Sequence, residues 1–463
     1  MFGDVLLSEI IRDRASRDPN APFAKVPRGN IYDNGYRTVT NLALVTAVDH
    51  VADLITSSLG AGHDLERVAY LGLNDLRYTI VLLACIDTGY TVFFPSPRNS
   101  EEAHKALLES LCCSKLITTR PGPIGPEAVE KAVTTKLVIP TLDELLDLAP
   151  ISDRRETHRR TFAEARTDPI FVLHTSGSTG IPKALTYINE FVSRVYHAQS
   201  LIPTEGFESV NEKYQQGTCL VTLPPFHIAG LAFTVLFPAY YGSIPIYPIA
   251  GPPPGLEVFL GALSATRADW AFVSPVIVNQ IGRAPDVLSK VASKLDRLFY
   301  TGGSVPSDSG TAVARKMGLN QVLGSSKCAA FPLQQAKGQT HEESWQYLHV
   351  HPAANVEFRH NHGDCYEMVQ VWRLDEDAGG AGQRYQPVFC HFDGVDSYHT
   401  KEIFVKHAFL RDTFTHVGRT DDVIVFLNGE KTNPTSFESQ MAEHPDCRLP
   451  SSSDNSAKKQ HCS

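Results

Sequence analysis

The segment from Phe171 to Lys183, FVLHTSGSTGIPK, concentrates the chemistry that this sequence can do. A β-rich apolar run passes directly into serine, threonine and glycine and ends in Pro182 and Lys183. Such a loop offers backbone N–H groups and hydroxyls to phosphate oxygens, its glycines permit close approach, and its lysine adds a positive charge. The pattern predicts a cradle for a polyphosphate. It is not the G-x-x-x-x-G-K-S/T loop of P-loop nucleotidases, because Lys183 follows proline and precedes Ala184. No G-x-G-x-x-G opens a helix after a strand, so the dinucleotide fingerprint is missing too.

A phosphate loop works only when neighbouring elements hold it in place. Residues 66–100 run RVAYLGL, NDLRYTIVLLACIDTGY, TVFFPSP, a strand-helix-strand spacing that predicts a parallel sheet with helices on its faces. KLITT, KLVIP, TCLVTLPPFH, SIPIYP, DWAFVSP and RLFYTGG repeat the rhythm, several ending in Gly, Pro or Ser, at the kind of sheet end where α/β proteins bind ligands. From about residue 345 the strands WQYLHVHP, ANVEFRH, YEMVQVWRL and PVFCHF succeed one another without long helices, which predicts an antiparallel sheet or small barrel. The N-terminal MFGDVLLSEIIRDRASRD reads as an amphipathic helix, because Asp4, Glu9 and Asp13 interrupt it and a leader's basic start is lacking. Residues 450–463 are polar and low in complexity, and a disordered tail is expected there.

Composition narrows the partners. The 463 residues, 42% hydrophobic and 20% charged, suit a soluble globular chain of two or three subdomains. A net charge of -9 without a basic block argues against nucleic acid and anionic membrane surfaces and favours a small-molecule partner. No run of 18 or more apolar residues occurs, so no membrane span is expected. Nine cysteines without a C-x-x-C pair read as reduced thiols in a reducing, cytoplasmic compartment. Adjacent Cys112 and Cys113 read as small buried hydrophobes.

HTSGSTGIPK is succeeded in order by LPPFHIAGL (223–231), DWAFVSP (269–275), LFYTGGSVP (298–306), LGSSK (323–327), YHTKEIF (398–404) and VGRTDDVIVFLNGEKTNP (417–434). Together these motifs resemble the adenylate-forming (AMP-binding) superfamily of acyl-CoA synthetases, luciferases and peptide-synthetase adenylation domains. Their wording is similar to the adenylation domain of fungal synthetase-like carboxylic acid reductases related to aminoadipate reductase, over about residues 15–435. The resemblance implies an α/β fold of two α/β/α subdomains plus a distorted β-barrel, with an adenylation core over 1–415 and a hinge and truncated C-terminal subdomain over 416–449. It implies ATP and Mg²⁺, a carboxylic acid as substrate, and a carrier protein in trans as a candidate acceptor. It places Thr175, Ser176, Gly177, Ser178, Thr179, Gly180 and Lys183 over the β- and γ-phosphates, with Lys183, Thr179 and Arg419 as the catalytic set. Gly302, Gly303 and Ser304 would line the adenine and acyl pocket, Gly324, Ser325 and Ser326 would flank the α-phosphate, and Asp421 would begin the hinge. Phe226, His227, Gly230 and Ser274 fall at the substrate pocket.

Four features depart from that pattern or tune it. His227 takes a place where amino-acid-activating relatives often carry an aspartate for the substrate's ammonium group, so an aryl, keto or fatty acid is expected over an α-amino acid. Lys327 stands where the family's glutamate holds Mg²⁺, and an ammonium cannot ligate a cation that wants oxygen. Glu402 replaces the usual ribose-gripping aspartate, keeping the carboxylate with one more methylene. The stretch beyond Asp421, without the polar tail, falls below the roughly 40 residues under which a domain lacking metals or disulfides seldom folds alone. The small C-terminal domain is therefore expected to be mostly missing. Two readings stand on these residues: an enzyme that makes acyl-adenylates, in fungal secondary metabolism, and a degenerate domain that binds nucleotide or acid without turnover.

Overall fold

The computed structural model describes residues 4–120, 122, 127–151, 160–175, 182–251, 254–372, 384–392, 394–420, 424–425 and 431–432. Continuous apolar runs become strands covered on both faces: Ile170 to Leu173 and Trp270 to Val273 are buried throughout. A six-stranded sheet runs Thr135–Ile139, Lys115–Thr119, Arg67–Leu71, Thr91–Phe93, Pro169–Thr175 and Lys183–Ile188. All its pairs are parallel except the last, a hairpin in which Thr175 faces Lys183. The two ends of the Thr175–Lys183 string are therefore clamped together by strand pairing.

A seven-stranded sheet takes the order Gly318–Gln321, Arg297–Tyr300, Trp270–Val273, Thr218–Val221, Ile244–Ile246, Pro22–Pro27 and Tyr36–Thr40. Only its final pair is antiparallel. The main core draws Phe171 and Leu173 from the first sheet and Phe272 and Phe299 from the second. Separate clusters pack on the opposite faces, Leu298 and Leu319 with Ile277 in one and Leu116 and Val172 with Leu107 in the other. The N-terminal helix Leu7–Arg17 joins the core through Leu7, Ile10, Ile11 and Ala15.

The 19-residue helix Asn41–Leu59 is long and apolar enough to cross a membrane by length and composition. Its Leu44, Val48, Val51 and Ile55 recur at helical spacing and are buried in the main core, as in an amphipathic core helix. Thr40 caps its start by accepting from the Ala43 N–H, and Gly60, at φ 81°, ends it.

Two sequence expectations change. In place of a distorted barrel, Val356–His362, Cys365–Val371, Ser397–Lys406 and Phe414–Arg419 make an open, four-stranded antiparallel sheet among the described residues. Arg359 to His362 on its outer strand are exposed, so that edge is solvated rather than closed on another strand. Cys113 is buried but Cys112 is exposed, because the turn after the helix Glu101–Ser110 passes through φ 49° at Cys112 and turns that thiol outward. The expected tail at 450–463 lies outside the described residues, as does most of 416–449.

Candidate active site

The parallel strands Thr218–Val221, Trp270–Val273, Arg297–Tyr300 and Gly318–Gln321 are adjacent, so the segments that leave them gather along one C-terminal rim. Open α/β sheets take ligands at such a rim. Leu223, Thr301 to Ser304 and Val322 to Ser326 border a cavity of about 570 Å³ there. Thr301 Oγ1 donates to the Val322 carbonyl at 2.7 Å and ties two of these segments together. Gly324 pairs with Ala330, and a Cβ on it would stand 2.5 Å from the Ala329 carbonyl oxygen, so this short ladder needs glycine.

The cavity has two chemically different halves. Ile228, Ala232, Phe233, Phe237 and Phe272 make one half apolar. The Phe233 and Phe272 rings lie 4.0 Å apart between centroids, with Tyr214 edge-on to Phe233 at 5.4 Å, so this half is backed by packed aromatics. Phe233 belongs to a wide π-type turn, Ala232–Leu236, continued by the helix Phe237–Tyr241. Ser304, Ser326, Glu402 and Arg419 make the other half polar.

Glu402 and Arg419 come from the hairpin of Ser397–Lys406 and Phe414–Arg419, where they sit directly opposite each other. Glu402 is only 9% exposed. Arg419 donates to its Oε1 at 2.6 Å, and His416 Nε2 lies 2.7 Å from its Oε2. A buried carboxylate requires such partners, and both of its oxygens have one.

The stem of the Thr175–Lys183 segment is tied to the same rim. Tyr187 stacks on Phe171 across the hairpin, with centroids 4.5 Å apart, and its hydroxyl donates to the Ser326 carbonyl at 2.7 Å. His174, the residue before Thr175, accepts the Ser96 N–H at Nε2 over 2.9 Å. Burial, then His227 and His104, pushes its pKa down to about 4, so it serves as a neutral acceptor. Burial and then Arg98 hold His227, on the cavity wall, below the ordinary imidazole range.

Of the residues expected at the site, Gly302, Gly303, Ser304, Gly324, Ser325, Ser326, Glu402, Arg419 and His227 border this one cavity. Thr175 and Lys183 flank the loop at its stem, and Lys183 is exposed. Ser176, Gly177, Ser178, Thr179, Gly180 and Asp421 lie outside the described residues. Phe226 is buried with its ring 4.8 Å from that of His227, behind the lining. Gly230 serves a close approach: a Cβ there would meet the Pro224 carbonyl oxygen at 2.0 Å. Ser274 occupies the cap position of the helix Pro275–Gly282, apart from the cavity lining. Sequence reasoning missed Tyr187, His416 and the Phe233–Phe237 pair; only the last carried a signal, its four-residue spacing.

The residues present do not fit a magnesium site at position 327. The Lys327 ammonium lies 5.5 and 5.6 Å from the ring centroids of Phe392 and Tyr398, a cation-π contact that supplies no oxygen ligand. Among the described residues no group of three or more His, Cys, Asp or Glu side chains is assembled to hold a metal.

Two α/β sheets, with a cavity at the C-terminal rim of the seven-stranded one and a small antiparallel sheet facing it, define the class of protein. Residues 11–338 match the model of the AMP-binding enzyme family, and the chain belongs to that family. It is 28% identical over 454 residues to a carboxylic acid reductase of Neurospora crassa, covering 96% of this chain and 42% of that protein. It is 26% identical to an adenylate-forming reductase of Serpula lacrymans, covering 96% of this chain and 40% of that protein. The chain thus spans about two fifths of the length of these relatives. An anthranilate CoA ligase structure in complex with anthranoyl-AMP shares the fold, with a TM-score of 0.70 at 14% identity over 96% of this chain and 83% of that one.

Proposed function

We propose that this chain uses ATP to activate a carboxylic acid: a carboxylate oxygen attacks the α-phosphorus, pyrophosphate departs, and an acyl-adenylate remains. The observation that carries this reading is one cavity with a polar end and an apolar end, in a chain of the AMP-binding family. On this reading the Thr175–Lys183 loop holds the β- and γ-phosphates, Lys183 and Thr179 among its working groups, with Arg419 completing the catalytic set. Gly302, Gly303 and Ser304 would meet the adenine, Gly324, Ser325 and Ser326 the α-phosphate, and Glu402 the ribose. Asp421 would begin a hinge.

The acid would lie in the half made by Ala232, Phe233 and Phe272, with His227 beside it and Phe226, Gly230 and Ser274 supporting the wall. An aryl, keto or fatty acid suits this half better than an α-amino acid. Glu402 is the acidic side chain bordering the cavity among the described residues, and it is already engaged by Arg419 and His416. A carrier-protein thiol supplied in trans is the proposed acceptor, in a reducing cytoplasmic setting and in fungal secondary metabolism.

Pyrophosphate exchange across a panel of aryl, keto and fatty acids tests the reading, with exchange expected for one of these classes. A folded protein that exchanges with none of them at saturating ATP would overturn the enzymatic assignment. The position of Lys327 favours a second reading, nucleotide binding without turnover. ATP binding by calorimetry in the absence of any exchange would select it.

A further inference from the structure

Alternation along an antiparallel strand places residues i and i+2 on the same face, so Val417 should share the face of Arg419 and His416 should point the opposite way. The hairpin does the reverse. Glu402 pairs with Arg419 and Ile403 with Gly418, but Phe404 pairs with His416, so Val417 is the extra residue of a bulge. Gly418, at φ 137°, supplies the conformation that permits it. The bulge turns His416 onto the face of Glu402 and Arg419.

There the imidazole is 9% exposed, edge-on to the Phe404 ring at 5.3 Å, and directed at Glu402 through Nε2. Its Nδ1 is buried with no hydrogen-bond partner. A proton on Nδ1 would be a buried donor without an acceptor, so the ring carries its proton on Nε2 and donates it to Glu402 Oε2. Arg419 fixes the other oxygen. A carboxylate held by two donors keeps unused lone pairs on both oxygens in a set orientation. Glu402 also borders the cavity, where two adjacent hydroxyls could take those lone pairs together.

We propose that His416 is a positioning residue of the nucleotide site, orienting Glu402 so that its carboxylate accepts from both hydroxyls of a ribose cis-diol. The inference rests on the nucleotide reading of the cavity. Its test is calorimetric titration of the full chain with ATP and with 2′,3′-dideoxy-ATP, for the parent, His416→Phe and His416→Gln. The parent should bind ATP more tightly than the dideoxy nucleotide. His416→Phe keeps a ring against Phe404 but removes the donor, and should weaken ATP about tenfold while changing dideoxy-ATP less than about twofold. His416→Gln restores a donor and should recover most of the loss.

Equal weakening of both nucleotides by His416→Phe would mark a merely structural role and overturn the inference. A parent that binds ATP and dideoxy-ATP alike would overturn it without any variant. If the parent binds neither, the nucleotide reading itself fails and this inference with it.

Discussion

The rim of the seven-stranded sheet and the antiparallel hairpin that faces it build their parts of the cavity by different means. The rim uses backbone: Gly324 and Gly230 admit carbonyl oxygens where a Cβ would collide, and the Thr301 hydroxyl bonds a neighbouring carbonyl. The hairpin uses side chains, a buried carboxylate held between a guanidinium and an imidazole. A backbone wall is fixed once the sheet forms, because its geometry belongs to the fold. A charged wall depends on which faces its side chains occupy, and a single bulge settles that.

This contrast predicts different consequences for damage on the two sides. Gly230→Ala should cost about 3 kcal/mol of stability in urea unfolding, since backbone cannot yield as a side-chain end does. Unchanged stability with selective loss of ligand binding would show that the rim is not a backbone device. Arg419→Ala should cost some stability, because it leaves one oxygen of the buried Glu402 without its partner, but its larger effect should be on ATP binding, weakened about 30-fold by the loss of that charge-assisted bond. A large stability loss with little change in affinity would reverse the comparison at the hairpin.

Smaller effects sharpen the same contrast. Ala232→Phe should fill part of the apolar half and raise KM about tenfold for bulky aryl acids, sparing short ones. A uniform change across an acid panel would place the acid elsewhere. Lys327→Gln removes the cation from the Phe392 and Tyr398 rings and should cost less than about 1 kcal/mol.

The Lys327 substitution also has a pH signature. Burial and then Lys327 press the His391 pKa down to about 4 from its ordinary 6.5. The folded state therefore holds the ring neutral, and the associated stability is present above about pH 6.5 and lost as pH falls through about 4. Lys327→Gln should raise the folded pKa and narrow that window, visible in an NMR titration of His391. An unmoved titration would show that the ammonium does not act on this ring.

Much of the architecture was legible because short-range rules produced it. Runs such as FVLHT and WAFV are β-rich and uninterrupted, so their burial in parallel sheets follows from pattern. Of the nine expected residues that border one cavity, all but Glu402, which lies inside the strand Ser397–Lys406, come from strand ends or the turns beyond them, which motif spacing locates well. The change from barrel to open sheet was not legible, because closure depends on edge pairing between segments distant in the chain.

The sequence by itself determined the order of motifs, the loop-bearing strand, the family and the presence of Lys327 and Glu402 at unusual places. Composition, periodicity and turn residues act over a few positions, and those features need nothing more. Tertiary structure decided that His416 reaches Glu402, that Lys327 rests over an aromatic pair, and that Phe226 stands behind the cavity wall and Ser274 apart from its lining. The reason is physical: one extra residue in a strand reverses which face a side chain occupies, and a cavity is bounded by segments whose meeting no local pattern encodes.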